Sequence, residues 1–589
     1  MAKILAYDSS YMIRPLRILY LFFIKKFSND TSKINELILY RLDQDNSFIR
    51  NSNNISGIPL GISQENLDAE SIKFYKYLEE LLQCNALKIK DISLFKLYKR
   101  QIKLKLSSLL RCAYRIKNTS DKNSYQLEVI TDRQTKSIVL YALKFINYDE
   151  NKIIFKTNKF LTLIICLNSM IMRVAAILNM LLTRSTLPNQ YFHKHIEDSL
   201  PTILIALPRR RPLDFYQTYI SELEGKFNIL LYSHGYIDEV PDQYTRIKVN
   251  KRFGNIKGMF GVKGLMFTAQ SYIFDLLIIF KYHSNLNISI DVVDQLFVNE
   301  IDVLINRQQT NVVDNYLTMK AKEKGIFVLG DLFEEIFFCN SLLLSSESQL
   351  TESVKLALTK NAKVTYKGSN SLIKYRLKNL SENSEKYLHN LLNLDESKKV
   401  IFYASEPSKE ESQRFQSERF LMKVFLDNPE FILVIKTHTQ DNGRVTNFSY
   451  LSAGKPLNII LIGDIRQKDK IASKKFKLFE DFDFNAAIKS CDGFITSSSS
   501  SILQALLLKT KSAILDQYDN DYYKYLIDQK AALIIKNKLD VQRFLDHEEL
   551  VSSEEVLNYC GLSNNYDDFD MSAHILSSYN EYKKIINID

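Results

Sequence analysis

From residue 199 onward, short apolar runs alternate with helical stretches, and this alternation restricts the fold more than any other feature of the sequence. "PTILIALP" is followed by a polar loop, a helical stretch and a second run, "FNILLY", a strand–helix–strand unit. "IDVLINRQQTNVVDNYLTMKAKEKGIFVLGDLFEE" repeats the scheme with Gly325 as a helix stop, and "NSLLLSSESQLTESVKLALTKNAKVTYKGS" repeats it again. After a polar connector, "SENSEKYLHNLLNLDESKK", a second set runs through "KKVIFYASEP", "EFILVIKTHTQ", "LNIILIGDI", "DGFITSSSSS" and "KSAILDQYD". Short buried strands alternating with helices require a parallel sheet covered on both faces. Two sets in tandem predict an α/β fold of two doubly wound, Rossmann-like domains across a cleft. Ligands in such sheets bind beyond the carboxyl ends of the strands.

The chain of 589 residues is too long for one core. The texture divides it into a helix-rich region, 1–198, a first Rossmann-like domain, 199–390, a second, 391–545, and closing helices, 546–589, expected to pack back across the cleft. In the first region, "ESIKFYKYLEELLQC" and "SLFKLYKRQIKLKLSSLLRCAYRI" place apolar residues at helical spacing with basic residues on the other faces. That basic surface is a solvated face or, more sharply, a membrane-facing one. Phe160–Leu182 is apolar and long enough to span a bilayer, but Arg173 at its centre would cost roughly 2.5–3.5 kcal/mol there. It reads as a buried or interfacial helix. A formal charge of +10 permits attraction to anionic lipid, nucleotide or acidic glycan, yet no dense basic block marks a nucleic-acid binder. Six scattered cysteines, none in a C-x-x-C pair, fit reduced thiols. With no signal peptide evident, a cytoplasmic location is expected, with peripheral contact at the membrane.

The serine run Ser497, Ser498, Ser499, Ser500 and Ser501 lies between the apolar strand "GFIT" and the helical "ILQALLL". It is therefore a strand-to-helix turn, whose free N–H groups and hydroxyls suit a phosphate. The plainer alternative is an N-cap at Ser500 or Ser501 with the rest as loop.

With "DGFITSSSSSILQALLLKTKSAILDQYDNDYYKYL", the chain resembles the nucleotide-binding domain of GT-B glycosyltransferases of bacterial surface polysaccharides. It is similar to capsule sialyl- and Kdo-transferases and to CDP-glycerol glycerophosphotransferases. The resemblance implies that the donor phosphates rest on the serines, and Asp516, Asp519, Tyr522 and Tyr523 match an acidic, tyrosine-rich loop after the next strand. "LVIKTHTQ" matches the family's Lys/Arg-x-His, which implies a donor-binding role for Lys436 and His438, although Thr439 stands where Pro is common. Gln504 replaces the Glu that retaining relatives place on the donor ribose, and Lys511-Ser512 replaces Lys-Pro. The resemblance covers about 398–530, and 199–390 by pattern only.

Glycosyl transfer needs a carboxylate or His to take the acceptor proton. In the first domain, loops after strands offer His234, Asp238 and Glu239 in "LLYSHGYIDEVPD", and Asp331, Glu334 and Glu335 in "VLGDLFEE". Arg307 in "LINRQQ" suits an acidic group on donor or acceptor, and Arg209 to Arg211 form a basic loop. Each is also an ordinary surface or cap residue. His193, His195 and His547 read as linker or helix-end residues. No metal site and no cofactor are expected, the serine turn taking the place of a metal against the leaving phosphate.

The expected activity is inverting, metal-independent transfer of a sugar or polyol phosphate from a nucleotide-activated donor, CMP- or CDP-linked by resemblance. The acceptor is a bacterial surface glycan or lipid-linked glycan, and nucleic acid is no partner. A nucleotide-sugar epimerase of the same fold, or an inactive GT-B scaffold in a polysaccharide assembly complex, stands as the alternative.

Overall fold

The alternating runs fold as two parallel sheets in tandem, preceded by a third. The computed structural model describes residues 3–7, 37–41, 62, 64–81, 88–89, 92–122, 127–131, 133–157, 159–182, 190–192, 199–207, 220, 222–233, 245–248, 273, 297, 300–306, 312–331, 338–358, 362–368, 385–406, 411–438, 441–465, 475–517, 523–546, 554–563 and 569–586.

The region before residue 199 is helix-rich, as its spacing predicts, but it also holds a parallel sheet that its pattern did not announce. Strands Lys3–Tyr7 (β1), Leu37–Arg41 (β2), Leu127–Thr131 (β3) and Ile153–Thr157 (β4) pair in the order β2-β1-β3-β4. The helices Gln64–Leu81 (α1), Lys99–Lys122 (α2), Arg133–Phe145 (α3) and Lys159–Leu182 (α4) belong to the same region. Phe74, Leu78, Ile102, Leu106 and Leu143 are fully buried in a core that continues without a break into Leu204, Leu304 and Val328 of the middle sheet. Lys76 of α1 donates to the Leu356 carbonyl at 2.9 Å, so polar contacts tie the two as well. Helix α4 covers the expected apolar segment. It buries Leu161, Ile164 and Asn168 while leaving Phe160, Leu163, Leu167, Met170 and Ile171 exposed. Among the described residues no helix is long and apolar enough to cross a membrane.

Among the described residues the middle sheet has eight strands: Gln190–Phe192 (β5), Thr202–Leu207 (β6), Asn228–Ser233 (β7), Thr245–Lys248 (β8), Val303–Asn306 (β9), Phe327–Asp331 (β10), Ser341–Leu344 (β11) and Lys363–Tyr366 (β12). Their order is β12-β11-β10-β9-β6-β7-β8-β5, all parallel except β5, which closes the edge against β8. Every residue of β9, β10 and β11 is buried, as apolar runs covered on both faces require. Helix Val312–Glu323 (α5) crosses between β9 and β10 and ends where Gly325 takes φ +72°, the left-handed stop expected of it.

Among the described residues the last sheet has seven parallel strands: Lys399–Ala404 (β13), Phe431–Lys436 (β14), Ile459–Asp464 (β15), Phe476–Phe479 (β16), Gly493–Thr496 (β17), Ser512–Leu515 (β18) and Leu533–Ile535 (β19). The order β16-β15-β14-β13-β17-β18-β19 runs outward from β13 in both directions, so the switch point lies between β13 and β17. Helix Glu411–Leu426 (α6) joins β13 to β14, and helix Ser501–Leu507 (α7) follows β17. Gly493 opens β17 because a Cβ there would stand 2.7 Å from the Phe544 ring.

The closing helices do pack back. Glu554–Tyr559 (α8) buries Val556 in the core of the last sheet, whereas Met571–Ile586 (α9) buries Met571, Ile575 and Tyr579 against Ile203, Val303 and Phe327 of the middle sheet. Between them Gly561 sits at φ +69° with the Ser345 carbonyl oxygen only 2.2 Å from where a Cβ would be. Ser345 follows β11. Tyr525, beyond β18, stacks on Tyr559 at 3.8 Å, and its phenol is pushed up by burial and then by the carboxylate of Glu555 and, more weakly, of Glu347. Loops at the carboxyl edges of the two large sheets therefore meet around α8.

Candidate functional site

The register of the last sheet brings three strand ends to one depth. Ala404 of β13 lies opposite Lys436 of β14 on one side and Thr496 of β17 on the other. The Ser405 N–H donates to the Lys436 carbonyl at 2.9 Å, carrying the ladder one residue further. Two residues past each registered position stand Glu406, His438 and Ser498. Neighbouring strands are about 4.8 Å apart, so the three occupy adjacent places along the switch point.

The serine turn holds an anion, and it is the chain's own. The hydroxyl of Thr496 donates to Glu406 Oε1 at 2.9 Å, the Ser498 N–H donates to the same oxygen at 2.5 Å, and the Ser498 hydroxyl donates to Oε2. Tyr523, at φ +55°, donates to the Ser498 carbonyl at 3.4 Å. Of the tyrosine-rich loop, it is the member brought to the turn; Asp519 and Tyr522 lie outside the described residues. Ser497 Oγ is 3.4 Å from the buried Tyr403 hydroxyl, whose pKa burial pushes up, with the Glu418 carboxylate adding, so the phenol keeps its proton.

Helix α7 is seven residues long. Ser500 occupies its N-cap without a side-chain bond, and Ser499 Oγ instead accepts the Ser501 N–H at 3.2 Å. Ser501 is 6% exposed, and its hydroxyl and Gln504 Oε1 are buried without a hydrogen-bond partner among the described residues. Residues at i and i+3 share a helix face, so both side chains belong to one side of α7. Buried polar groups are normally paired with protein or with water.

A buried network fixes the flanking loops. Arg414 of α6 donates through Nε to Glu418 at 3.0 Å, through a terminal nitrogen to Thr446 at 3.0 Å, and is paired with Asp441. Burial opposes the guanidinium charge, yet Glu418 and Asp441 hold its pKa above the ordinary arginine value. Glu418, fully buried, also accepts the Ser405 hydroxyl at 2.5 Å, and the Asp441 N–H donates to the His438 carbonyl at 2.9 Å. One arginine–glutamate pair thus anchors both the Glu406 loop and the His438 loop.

Lys436 is buried at the end of β14, its ammonium 5.3 Å above the Phe482 ring, and donates to the Thr437 carbonyl at 3.4 Å. His438 is half-buried at the mouth. In the middle sheet, Asp331 ends β10 and is paired with Lys367 at 2.6 Å, both side chains almost wholly buried. His234, Asp238, Glu239, Arg307, Glu334 and Glu335 lie outside the described residues, as do Arg209 to Arg211, His193, His195 and His547. Glu406 is the functional candidate that pattern reading passed over, because an acidic residue before Pro407 resembles solvated loop. Counting two residues past each apolar run would have found it.

Five described cysteines, Cys112, Cys166, Cys339, Cys491 and Cys560, are free thiols, and burial pushes Cys112, Cys339 and Cys560 up to about 12. The four buried ones, Cys112, Cys339, Cys491 and Cys560, are packing residues.

Neither a protein-family model nor a curated protein matches this sequence. Among solved structures the chain is similar to sucrose-phosphate synthase from Thermosynechococcus elongatus, 9% identical over 66% of this chain and 100% of that one, TM-score 0.39. It is similar to a glycosyltransferase from Rickettsia africae, 10% identical over 66% of this chain and 99% of that one, TM-score 0.39. A third is UDP-GlcNAc 2-epimerase from Methanocaldococcus jannaschii in complex with UDP-GlcNAc and UDP, 13% identical over 62% of this chain and 98% of that one, TM-score 0.36. At this distance none of the three reactions transfers to the chain, and its fold rests on the strand order above.

Proposed function

We propose that this protein is an inverting glycosyltransferase that moves a sugar, or a polyol phosphate, from a nucleotide-activated donor to a bacterial surface glycan. The single observation that carries this reading is the turn Thr496–Ser498, where a backbone N–H and two hydroxyls converge on a carboxylate at the switch point of a parallel sheet. Donors that hold a carboxylate can hold the oxygens of a phosphate, and in a site shielded from water they stabilise a leaving phosphate as charge develops on it. His438 stands one strand away to bind the same phosphate, and the unsatisfied Ser501 hydroxyl and Gln504 amide oxygen are left for the donor's remaining hydroxyls or phosphate. Lys436 balances charge from within the sheet. No metal is required of the residues in these roles.

The acceptor proton would be taken by His234, Asp238, Glu239, Glu334 or Asp331, each at or after the end of a middle-sheet strand in the sequence. Of these, Asp331 would first have to leave Lys367. Arg307 would meet an acidic group. The cytidine preference rests on the sequence resemblance, and the acceptor side would be served by the region before residue 199, with the exposed apolar stripe of α4 facing a membrane-associated glycan.

Purified protein incubated with CMP-, CDP-, UDP- and GDP-activated sugars tests this reading, with and without a surface-glycan acceptor. Transfer that needs acceptor and falls at least a hundredfold in the Ser498→Ala/His438→Ala double variant is expected. Altered sugar released from donor alone would make the protein an epimerase, and undiminished transfer in the double variant would refute the assigned site.

A further inference from the structure

The carboxylate of Glu406 occupies the hydrogen-bonding positions that the proposed function gives to a donor phosphate, and this has consequences for which donor can enter. Its side chain is half-buried, and all the contacts the structure gives it among the described residues come from the neutral donors Thr496 and Ser498. Hydroxyls and amides of this kind serve any anion of suitable shape.

The backbone beneath the carboxylate is fixed. Ser405 is locked by its N–H to the Lys436 carbonyl at 2.9 Å and by its hydroxyl to the fully buried Glu418 at 2.5 Å. Glu406 itself precedes Pro407 in the sequence, which confines its own backbone to extended conformations. Only the side chain is free to swing. A phosphate that takes Thr496 and Ser498 turns the carboxylate out, but the tether keeps that negative charge a few ångströms away.

We propose that Glu406 is a built-in anion that guards the phosphate subsite and sets its specificity, favouring a donor that leaves as a nucleoside monophosphate over one that leaves as a diphosphate. This rests on the reading of the turn as a donor site. The displaced carboxylate repels an incoming group in proportion to its charge, so a diphosphate is penalised more than a monophosphate. At about 4 Å two unit charges repel by enough to weaken binding several-fold in water and far more in a partly buried cleft.

The test is the sign of the change in affinity when the charge is removed. Glu406→Gln keeps an oxygen for the Ser498 N–H and loses the charge, and Glu406→Ala empties the position should the amide lock in place of the carboxylate. The binding of CMP, CDP, UMP, UDP and inorganic phosphate to wild type and both variants is measured by calorimetry, with melting of each unliganded protein confirming that it folds. The expected result is tighter binding in both variants, about tenfold or more for the diphosphates and less for the monophosphates. If nucleotides bind wild type and Glu406→Gln alike, or bind the variants more weakly, Glu406 is a support for Ser498 and the guard is refuted while the donor site stands. If no nucleotide binds any of the three proteins, the donor-site reading fails with it.

Discussion

The two large sheets each carry an acidic side chain at the carboxyl edge, and the two are neutralised by different chemistry. Asp331, at the end of β10, faces the ammonium of Lys367 at 2.6 Å with both side chains nearly excluded from solvent. Glu406, just past β13, is held by two hydroxyls and a backbone N–H. A desolvated ion pair is a closed unit, since removing either partner strands a charge where water cannot reach it. Neutral donors have no such commitment and accept another anion in exchange. On the proposed reading, the comparison makes the Asp331–Lys367 pair structural and the donors around Glu406 a binding set, although both carboxylates follow the same rule of position at a strand end.

The largest expected effect falls on the middle sheet. Lys367→Met takes the ammonium away from the buried Asp331 carboxylate, and should lower unfolding free energy by about 3–5 kcal/mol in urea denaturation while nucleotide affinity of the folded protein is unchanged. The double variant Lys367→Met/Asp331→Leu should recover most of that loss. A stable double variant that had lost transfer but kept nucleotide binding would break the comparison by making Asp331 the acceptor's base.

Gly561 comes next, because it joins the two edges. Its φ of +69° and the Ser345 carbonyl 2.2 Å from a would-be Cβ leave no room for a side chain. Gly561→Ala should cost about 1–3 kcal/mol, seen as a lowered melting temperature. An unchanged melting temperature would mean that α8 does not hold the middle sheet to the last.

Smaller again is Tyr523→Phe, which removes a 3.4 Å bond to the Ser498 carbonyl. Nucleotide affinity should fall only a few-fold, in keeping with about 0.5–1 kcal/mol for one neutral hydrogen bond. A change in melting temperature without a change in affinity would move this tyrosine from the site to the scaffold.

The smallest effect concerns His574 on α9, beside Phe569 at 5.6 Å, whose pKa burial lowers from the usual 6.5. The unfolded chain therefore takes up a proton before the folded one does. The contribution of His574 is complete above pH 6.5, falls as pH drops through 6.5, and levels off once the folded ring is protonated too. Because His574 is only partly buried, the loss should be well under that of the other variants, and His574→Gln should flatten it in melting curves taken between pH 7 and about pH 5.

Much of this architecture is legible in the chain, because strands covered on both faces must be apolar throughout. "TILIAL", "FVLGD" and "SAIL" announce themselves by composition alone, and the helices between them follow from length and spacing. The sheet of β1 to β4 was not legible, since "KILAY" and "LILYR" are short and stand among long helical patterns that dominate any window. The edge strands Phe476–Phe479 and Leu533–Ile535 were missed for a related reason: only part of each is buried, so neither forms a continuous apolar run. At the site, the serine turn and Tyr523 could be read because hydroxyl-rich residues after a buried strand are unusual. Glu406 and the Arg414–Glu418 anchor could not, since their roles depend on register between strands and on a helix placed beneath two loops.

Calorimetric titration of the preferred nucleotide, chosen from CMP, CDP, UDP and GDP, into wild type and a Thr496→Val/Ser498→Ala variant tests the central claim most directly. Loss of the two hydroxyls should weaken binding by about tenfold or more while the protein melts within a few degrees of wild type. Equal affinity in the two proteins would contradict the placement of the donor phosphate on this turn.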